Sequence, residues 1–514
     1  MKFSVKRLAV CSVIGYLLLL VLLTFAESGN PDSSINSFTD ALWYSVVTLS
    51  TVGYGDMYPL TPLGRIIGVC FVLMSLGVLS FIMGTIINFL TGRLLPALKL
   101  MTVQNRTWYV FDHADEISLT LAKDLEQRNP DAIFLFPLSQ QECVERKSNY
   151  RFYPGTIAQA IQNKDEDCNL FFLAPDRNNY SPALEALSLG HPVYCRSRQV
   201  PVDRPNDLTL FNRYSCCARG YWRSFPINKN EQNVILIGNG EYAEQLLEQG
   251  VLVNVFSADR RIRYHMFGDW SNFRRNHPKL DITLSVDCDA PLKDCLFFHS
   301  EPWNHDAELL CKADRIILCD DRDSENLEIL HRLRRYFPIG GALHLRAASD
   351  IPGEVMFGTN ETIYTADLVM GTQLTETARL MHQIYADGAD APVPVWEKLS
   401  DFTQQSNIAA ADHLLTKVRI LLQDDSITAL TKDVCLAAYE EYRKTHRQLA
   451  EQYRELEHLR WMRFHSLYNW AYAPTRDNAA RLHPLMQSYN TLSPEEQAKD
   501  DYAWELIGKI ANRL

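Results

Sequence analysis

The distribution of apolar positions changes abruptly along this chain. Residues 8–26 are almost continuously apolar. As a helix this run measures about 28 Å, close to the thickness of a bilayer's hydrocarbon core. A second run, 66–90, is long enough to span with tilt. Between them, residues 38–49 pattern as a helix with Ser37 or Thr39 as its cap, but are too short to cross. Such a re-entrant segment survives at membrane depth only where protein surrounds it or water fills a pore. From Glu27 to Gly64 there is no Lys or Arg, whereas Lys2, Lys6 and Arg7 precede the first run and Arg93 and Lys99 follow the second. The positive-inside rule then places both termini in the cytoplasm and the loop outside. Basic residues ahead of an apolar run that ends Thr24-Phe25-Ala26 also fit a secretory signal peptide.

Beyond residue 100 the pattern is that of a soluble α/β protein. Trp108-Tyr109-Val110-Phe111, Ala132-Ile133-Phe134-Leu135-Phe136, Leu170-Phe171-Phe172-Leu173 and Pro192-Val193-Tyr194-Cys195 are short continuous apolar runs, and 116–127 patterns as a helix. Strands covered on both faces of a parallel sheet read this way. The first strand-to-helix turn, Asp112-His113-Ala114-Asp115, is acidic and should repel a pyrophosphate. Residues 101–228 are therefore expected to form a Rossmann-like domain without a dinucleotide.

A second unit, 229–386, opens with Val234-Ile235-Leu236-Ile237 followed by Gly238-Asn239-Gly240-Glu241-Tyr242-Ala243. G-x-G-x-x-A between a strand and a helix is the context of a dinucleotide turn. Gly238 would make the turn, Gly240 would let the backbone reach a phosphate at the helix N-terminus, and Ala243 would bring the helix close to the sheet. Residues 251–256 read as the next strand, with Asp259 slightly late as the ribose acid. Ile316-Ile317-Leu318-Cys319 reads as another strand, with the acids Asp320 and Asp321 at its carboxyl end, where α/β ligands bind, and 342–346 as the next. The Arg- and His-bearing stretch 259–275 reads as a solvated or packed surface. A glycine turn retained without a ligand fits the same residues, and no proton-transfer constellation accompanies it.

Residues 387–394, with Gly388, Pro392 and Pro394, read as a linker to a mainly helical segment, 387–514. There Trp396, Asn407, His413, Lys417, Glu457, Arg460 and Trp461 combine flat aromatics with polar groups. Such a set can stack a nucleobase and hold a phosphate. The alternative is that the tryptophans form a core and the charges cap helices. His413, Glu457 and His458 could hold zinc, but without diagnostic spacing.

Charge and composition narrow the classes. A net charge of −11 argues against nucleic acid as a partner. The 12 cysteines contain no CxxC pair and are expected to be reduced and structural. No Walker motif is present, so no nucleotide hydrolysis drives transport.

The most specific chemistry lies in Thr51-Val52-Gly53-Tyr54-Gly55-Asp56. An extended run offers a carbonyl about every 3 Å. All carbonyls face one axis only if some residues take left-handed angles, which Gly53 and Gly55 reach at little steric cost. This run, with Ala41-Leu42-Trp43-Tyr44-Ser45-Val46 before it and Tyr58-Pro59 and Gly64-Arg65 after it, resembles two-span potassium channels. The resemblance implies a potassium selectivity filter, with K+ held at Thr51, Val52, Gly53 and Tyr54, and a homotetramer in a lipid bilayer, since one chain supplies a quarter of the ring. Trp43 and Tyr44 would pack behind the filter and Asp56 would support it. Val47 stands where some relatives carry Glu, so Asp56 would lack that partner. The family's hinge glycine falls on Ser75, with Gly77 and Gly84 as alternatives, or those glycines only permit close helix packing. No Arg-repeat helix precedes the pore, so no voltage sensor is expected.

The two Rossmann-like units resemble the RCK, or TrkA-N, regulators of potassium channels, which assemble into a cytosolic ring and pull on the inner helices. The pattern Ser406-Asn407, Ala411-Asp412-His413, Glu457-His458-Leu459-Arg460-Trp461, Trp470 and His483-Pro484-Leu485 resembles the RyR domain. The sequence thus predicts a two-span α-helical membrane pore within 1–100, cytosolic α/β Rossmann-like domains, and a C-terminal helical module. The expected protein is not an enzyme. It is a potassium channel of a prokaryotic cytoplasmic (inner) membrane, gated by a small cytosolic ligand, with a nucleotide or dinucleotide as the leading candidate. Two alternatives fit: a membrane-anchored nucleotide-binding enzyme with a vestigial pore, and a constitutive channel with a scaffold-only cytosolic part.

Overall fold

The computed structural model describes residues 5–90, 106–161, 167–174, 179–198, 205, 207–256, 260–290, 293–387 and 392–513. The chain divides into two compact units, Met1–Val103 and Gln104–Leu514.

The first unit contains the helices Val5–Glu27, Phe38–Leu49 and Pro62–Phe89. The middle one starts where Ser37 and Asp40 form a capping box: Asp40 donates its N–H to Ser37 Oγ at 3.2 Å, and its carboxylate accepts the Ser37 N–H at 2.9 Å. This satisfies two of the free donors of a helix start, so Ser37 rather than Thr39 is the cap. Thr61 caps the last helix by accepting the Gly64 N–H at 3.0 Å, and Pro62 follows at a position where no N–H is needed. Leu20, Leu23, Ile35, Ala41, Ile67 and Phe71 form the small core between the helices. Leu18, Phe25, Leu73 and Phe81 face outward. Among the described residues Pro62–Ile87 is long and apolar enough to cross a membrane, and Ile14–Glu27 is apolar but shorter.

The second unit is built on two parallel sheets. The first contains β1 (Trp108–Phe111), β2 (Ile133–Pro137), β3 (Tyr150–Tyr153), β4 (Cys168–Phe172), β5 (Val193–Arg196) and β6 (Leu208–Phe211), in the order β3-β2-β1-β4-β5-β6. A row of stacked rings, Phe136, Phe111, Phe171 and Tyr194, crosses four of its strands with neighbouring centroids 5.0 Å apart. Each such pair adds about 1 kcal/mol beyond the burial itself. In the acidic first turn, Asp112 accepts the Leu173 N–H at 3.2 Å and Asp115 caps the following helix through the Ser118 N–H at 2.8 Å.

The second sheet contains β7 (Asn233–Ile237), β8 (Arg263–Phe267), β9 (Ser285–Val286), β10 (Cys295–His299), β11 (Arg315–Leu318), β12 (Ala342–Arg346) and β13 (Val355–Phe357), in the order β13-β12-β11-β7-β8-β10-β9. Strand order reverses between β7 and β11, the crevice where α/β proteins bind ligands. Here the structure corrects the sequence reading. Val251 and Val253 are not in a strand; they are buried on the last turn of the helix Glu241–Val253. Asn254 closes that helix, its Nδ2 donating to Gly250 O at 3.0 Å. The strand lies at 263–267 instead, where Tyr264 and Met266 are fully buried. Its arginine and histidine had the look of a surface, but their period-2 alternation belongs to a strand.

The C-terminal helices Asp401–Leu422, Lys432–Leu467 and Tyr502–Ala511 pack around buried Trp504. Gly508 allows the last one to lie on Tyr439, since a Cβ there would come within 2.6 Å of the ring. These helices are joined to the second sheet by buried polar contacts. Arg463 Nη1 donates to Asp294 Oδ2 at 2.7 Å and to Val251 O at 3.1 Å. His413 Nε2 donates to Val255 O at 2.9 Å, and Thr416 Oγ1 to Val253 O at 2.8 Å. No disulfide is present among the described cysteines.

Candidate ion pathway and cytosolic ligand sites

The pore helix passes directly into an irregular strand. Val52 N–H returns to Val47 O at 3.1 Å and Gly53 N–H to the same oxygen at 3.3 Å, fastening the strand to the last helical turn. Thr51, Gly53 and Gly55 then have φ of 60°, 59° and 74°. Left-handed residues at every second position turn successive carbonyls toward one side. For the β-branched Thr51 that conformation costs about 1–3 kcal/mol, strain that accumulates at functional sites.

Trp43 lies behind this strand. Its indole Nε1 donates to Asp56 Oδ2 at 2.9 Å, and its ring is nearly parallel to Tyr54, with centroids 6.2 Å apart and an interplanar angle of 6°. Asp56 therefore has a partner despite Val47. Tyr44 turns away from the filter, contrary to expectation. Its ring meets Phe71 of the inner helix edge-on at 6.3 Å, and its hydroxyl lies over Gly68. The inner helix runs unbroken from Pro62 to Phe89. Ser75 Oγ donates to Val72 O at 2.7 Å, while a Cβ on Gly77 or Gly84 would touch nothing within 4 Å in this chain.

A carboxylate missed by sequence reading ties the two long helices together. Glu27 is fully buried. It accepts the Thr61 N–H at 2.9 Å, the Thr61 hydroxyl at 2.6 Å, the Leu60 N–H at 3.1 Å and the Ser33 hydroxyl at 2.7 Å. Gly64 leaves the room it needs, because a Cβ there would collide with Glu27 Oε1.

In the second sheet, the turn Gly238–Gly240 lies across the switch crevice from Asp320 and Asp321. Gly238 abuts the backbone of Cys319 and Asp320 too closely for any side chain. Asp320 Oδ2 accepts the Asn239 N–H at 3.1 Å and its side-chain amide at 3.0 Å. Asp321 goes to the helix N-terminus: Oδ2 accepts the Glu241 N–H at 3.2 Å and Oδ1 the Tyr242 N–H at 3.0 Å. Gly240, at φ 94°, leaves the space that this carboxylate fills. The donors that a pyrophosphate would use are thus taken by Asp321. Ala243 is buried against the core, as the motif requires. Asp259 lies outside the described residues. The acid near the end of β8 is Asp269, whose N–H donates to Asn239 Oδ1 at 2.6 Å. Its position could not be found while β8 was placed at 251–256.

The seven residues grouped in the C-terminal module do not form one site. Trp396 is buried beside His382 and beneath Arg379. Asn407 Nδ2 bonds back to Thr403 O at 2.9 Å. Lys417 Nζ meets Glu457 Oε2 at 2.7 Å, and Arg460 meets Glu457 Oε1 at 2.6 Å, all three nearly inaccessible. Burial alone would raise the Glu457 carboxyl, but the two cations more than offset it and hold it well below the usual range. His413 is pushed down to about 3 by burial and by Lys417, so it is neutral. Asp500 is pushed up to about 7 by burial and the nearby Glu457 charge. Arg454 pairs with Asp501 at Nε–Oδ2 2.8 Å.

Trp461 of that group faces a cleft, and Trp396 lines a separate one. The cleft at Trp461 has a volume of about 370 Å³ and is shared with His458, His465, His483, Arg476 and Asp500. His465 Nδ1 donates to Trp461 O at 2.9 Å, which leaves Nε2 an acceptor. His483 Nδ1 accepts the Leu485 N–H at 3.1 Å, which puts the proton on Nε2. Burial keeps both rings neutral, pushing His465 down to about 3. An aromatic face, a ring-nitrogen acceptor and donor, the cations Arg476 and Lys499 and the carboxyl groups of Glu496 and Asp500 therefore share the cleft. Among the described residues no group of three His, Cys, Asp or Glu is placed to hold a metal.

Residues 10–92 match the family model described as "Ion channel". A voltage-gated potassium channel of Aeropyrum pernix is 48% identical over 62 residues, which are 12% of this chain and 21% of the relative. Human potassium voltage-gated channel subfamily A member 6 is 51% identical over 55 residues, 11% of this chain and 10% of that one. The chain thus spans about a fifth or less of the length of these curated relatives. Structures of the GsuK channel bound to ADP and bound to NAD align over 82% of this chain at 14% and 13% identity, covering 99% and 84% of those chains. Their TM-scores of 0.28 and 0.27 are too low to establish a common arrangement. Residues 10–92 are thus an ion-channel domain similar to that of potassium channels, and two Rossmann-like α/β domains follow it in the same chain.

Proposed function

We propose that the chain is the subunit of a homotetrameric, potassium-selective channel in a prokaryotic cytoplasmic membrane, with both termini inside. The observation that carries this reading is the alternation of left-handed backbone at Thr51, Gly53 and Gly55 directly after a pore helix. Carbonyls of Thr51, Val52, Gly53 and Tyr54, with the Thr51 hydroxyl innermost, would replace the water shell of K+. The negative end of the pore helix favours a cation there. Conduction is passive, and the cytosolic α/β and RyR-like parts set the gate.

A ligand shifts that gate only by its differential affinity for the open and closed states. The cleft at Trp461 suits a planar heterocycle bearing an acidic group, a description that nucleotides meet. The turn at Gly238 and Gly240 would accept a phosphate only after Asp321 withdraws.

The test is rubidium uptake into potassium-loaded liposomes containing the full chain. Uptake that is selective over sodium, and that changes with nucleotide in the wild type but not in Trp461→Ala, is expected. Absence of flux under every nucleotide, with turnover of a dinucleotide, would favour the membrane-anchored enzyme. Flux that no nucleotide alters would favour the constitutive channel.

A further inference from the structure

A second cleft, of about 330 Å³, opens where the helix Arg213–Ser224, the helix Glu241–Val253 and the C-terminal helix Asp401–Leu422 come together. Arg219, Arg223 and Arg419 all line it, with Gln249, Asn254 and Thr377 as neutral polar neighbours. Two carboxylates also reach the wall, and both are engaged. Asp412 Oδ2 takes Arg219 Nε at 2.8 Å and Gln249 Nε2 at 3.3 Å. Asp367 is held by Arg128 at 2.7 Å. Arg419 donates Nε to Ile427 O at 2.7 Å and Nη2 to Arg223 O at 2.9 Å. The Arg223 guanidinium has no partner among the described residues. Burial holds Arg419 below the usual guanidinium range; the neighbouring Arg223 charge adds to this and Asp425 opposes it.

Asp412 matches Arg219, and Asp425 acts on Arg419, so the unmatched charge on this partly enclosed wall is the Arg223 guanidinium. A guanidinium is matched by oxyanions, which it binds through two parallel N–H donors. We infer that this cleft is a binding site for a small phosphate-bearing anion, held by Arg219, Arg223 and Arg419. The site differs from the Trp461 cleft and from the glycine turn and does not depend on either. Its geometry has a mechanical corollary. Arg219 and Arg223 stand on the helix that connects the first sheet to the second, and Arg419 stands on the C-terminal module. A shared anion would clamp the two together.

The test uses purified full-length protein and titrates pyrophosphate, inorganic phosphate and a sugar phosphate at constant ionic strength. Calorimetry reads the binding, and a chloride titration serves as the control. One saturable site per chain is expected for at least one phosphate. Arg223→Gln should weaken it at least tenfold, and Arg223→Lys should restore part of the loss. Because Arg223 has no internal partner, these variants leave the fold intact, which melting curves verify. Tighter binding of the sugar phosphate than of pyrophosphate identifies a phosphorylated metabolite as the ligand, and the reverse order identifies a free polyphosphate. A response no stronger than that to chloride overturns the proposal, as does binding that Arg223→Gln leaves unchanged.

Discussion

Trp43 donates its indole N–H to Asp56 across the back of the proposed filter at 2.9 Å while stacking on Tyr54. One side chain thus holds the Asp56 end of the strand at two points, and the two contacts can be separated. Trp43→Phe keeps the stacking ring and loses the donor. A hydrogen bond to a charged group is worth about 1.5–3 kcal/mol before solvent exposure reduces it. The variant should conduct with unchanged ion selectivity, and its filter should leave the conducting state about tenfold faster. Single-channel recording in planar bilayers measures that lifetime.

Asp321 fills the phosphate seat of the glycine turn with its own carboxylate. Asp321→Ala should lower stability by about 2 kcal/mol, since two N–H donors to a charged acceptor lose their partner. The same change should create affinity for ADP or a dinucleotide at a turn where the wild type has little. Fluorescence titration with a labelled adenine nucleotide, comparing Asp321→Ala with Asp321→Glu, distinguishes an opened seat from general loosening.

Lys417, Glu457 and Arg460 form a closed charge cluster. Removing the one carboxylate leaves two buried cations without a counter-charge, which costs about 3–5 kcal/mol. Glu457→Gln should therefore be strongly destabilising, and more so than Lys417→Met, which leaves the Glu457–Arg460 pair intact. Lys417→Met with Glu457→Gln should cost less than the two single losses summed. Chemical denaturation of all four proteins supplies the coupling.

Asp500 is raised in the folded protein to about 7. The native state therefore binds a proton that the unfolded chain has released. Stability attributable to this group is full below the ordinary carboxylate range and is lost as pH rises from there to about 7. Asp500→Asn removes that loss. Its melting temperature should gain on the wild type progressively from pH 4 to 7 and hold a constant lead above. Buried neutral histidines such as His413 act in the opposite sense in both proteins and cancel in the difference.

The left-handed turns at Gly53 and Gly55 and the parallel sheets were legible because their signals are local. A glycine at a left-handed position and an all-apolar strand such as β1 follow from few residues. What sequence reading missed depends on partners far along the chain. Glu27 is explained by Thr61, and Asp321 matters only because Gly240 faces it. Residues 251–256 were misread because a buried helix end and a buried strand have the same composition. Lys417, Glu457 and Arg460 looked like ligand-binding groups because charge is normally exposed. Nothing in their spacing shows that they pair with one another.

Arg463 on the long C-terminal helix reaches Asp294 at the start of β10 and the Val251 carbonyl, while His413 and Thr416 engage Val255 and Val253. The Gly- and Pro-bearing stretch at 387–394 therefore resembles a seam in the sequence but is not a place to cut. Truncation there strips the cation from a buried aspartate and the donors from several main-chain carbonyls of the preceding unit. A shortened chain that loses a ligand response would have lost folded structure along with any sensor. The module can be swapped between relatives only together with the sheet it is bonded to, and single side chains are the proper unit for taking this protein apart.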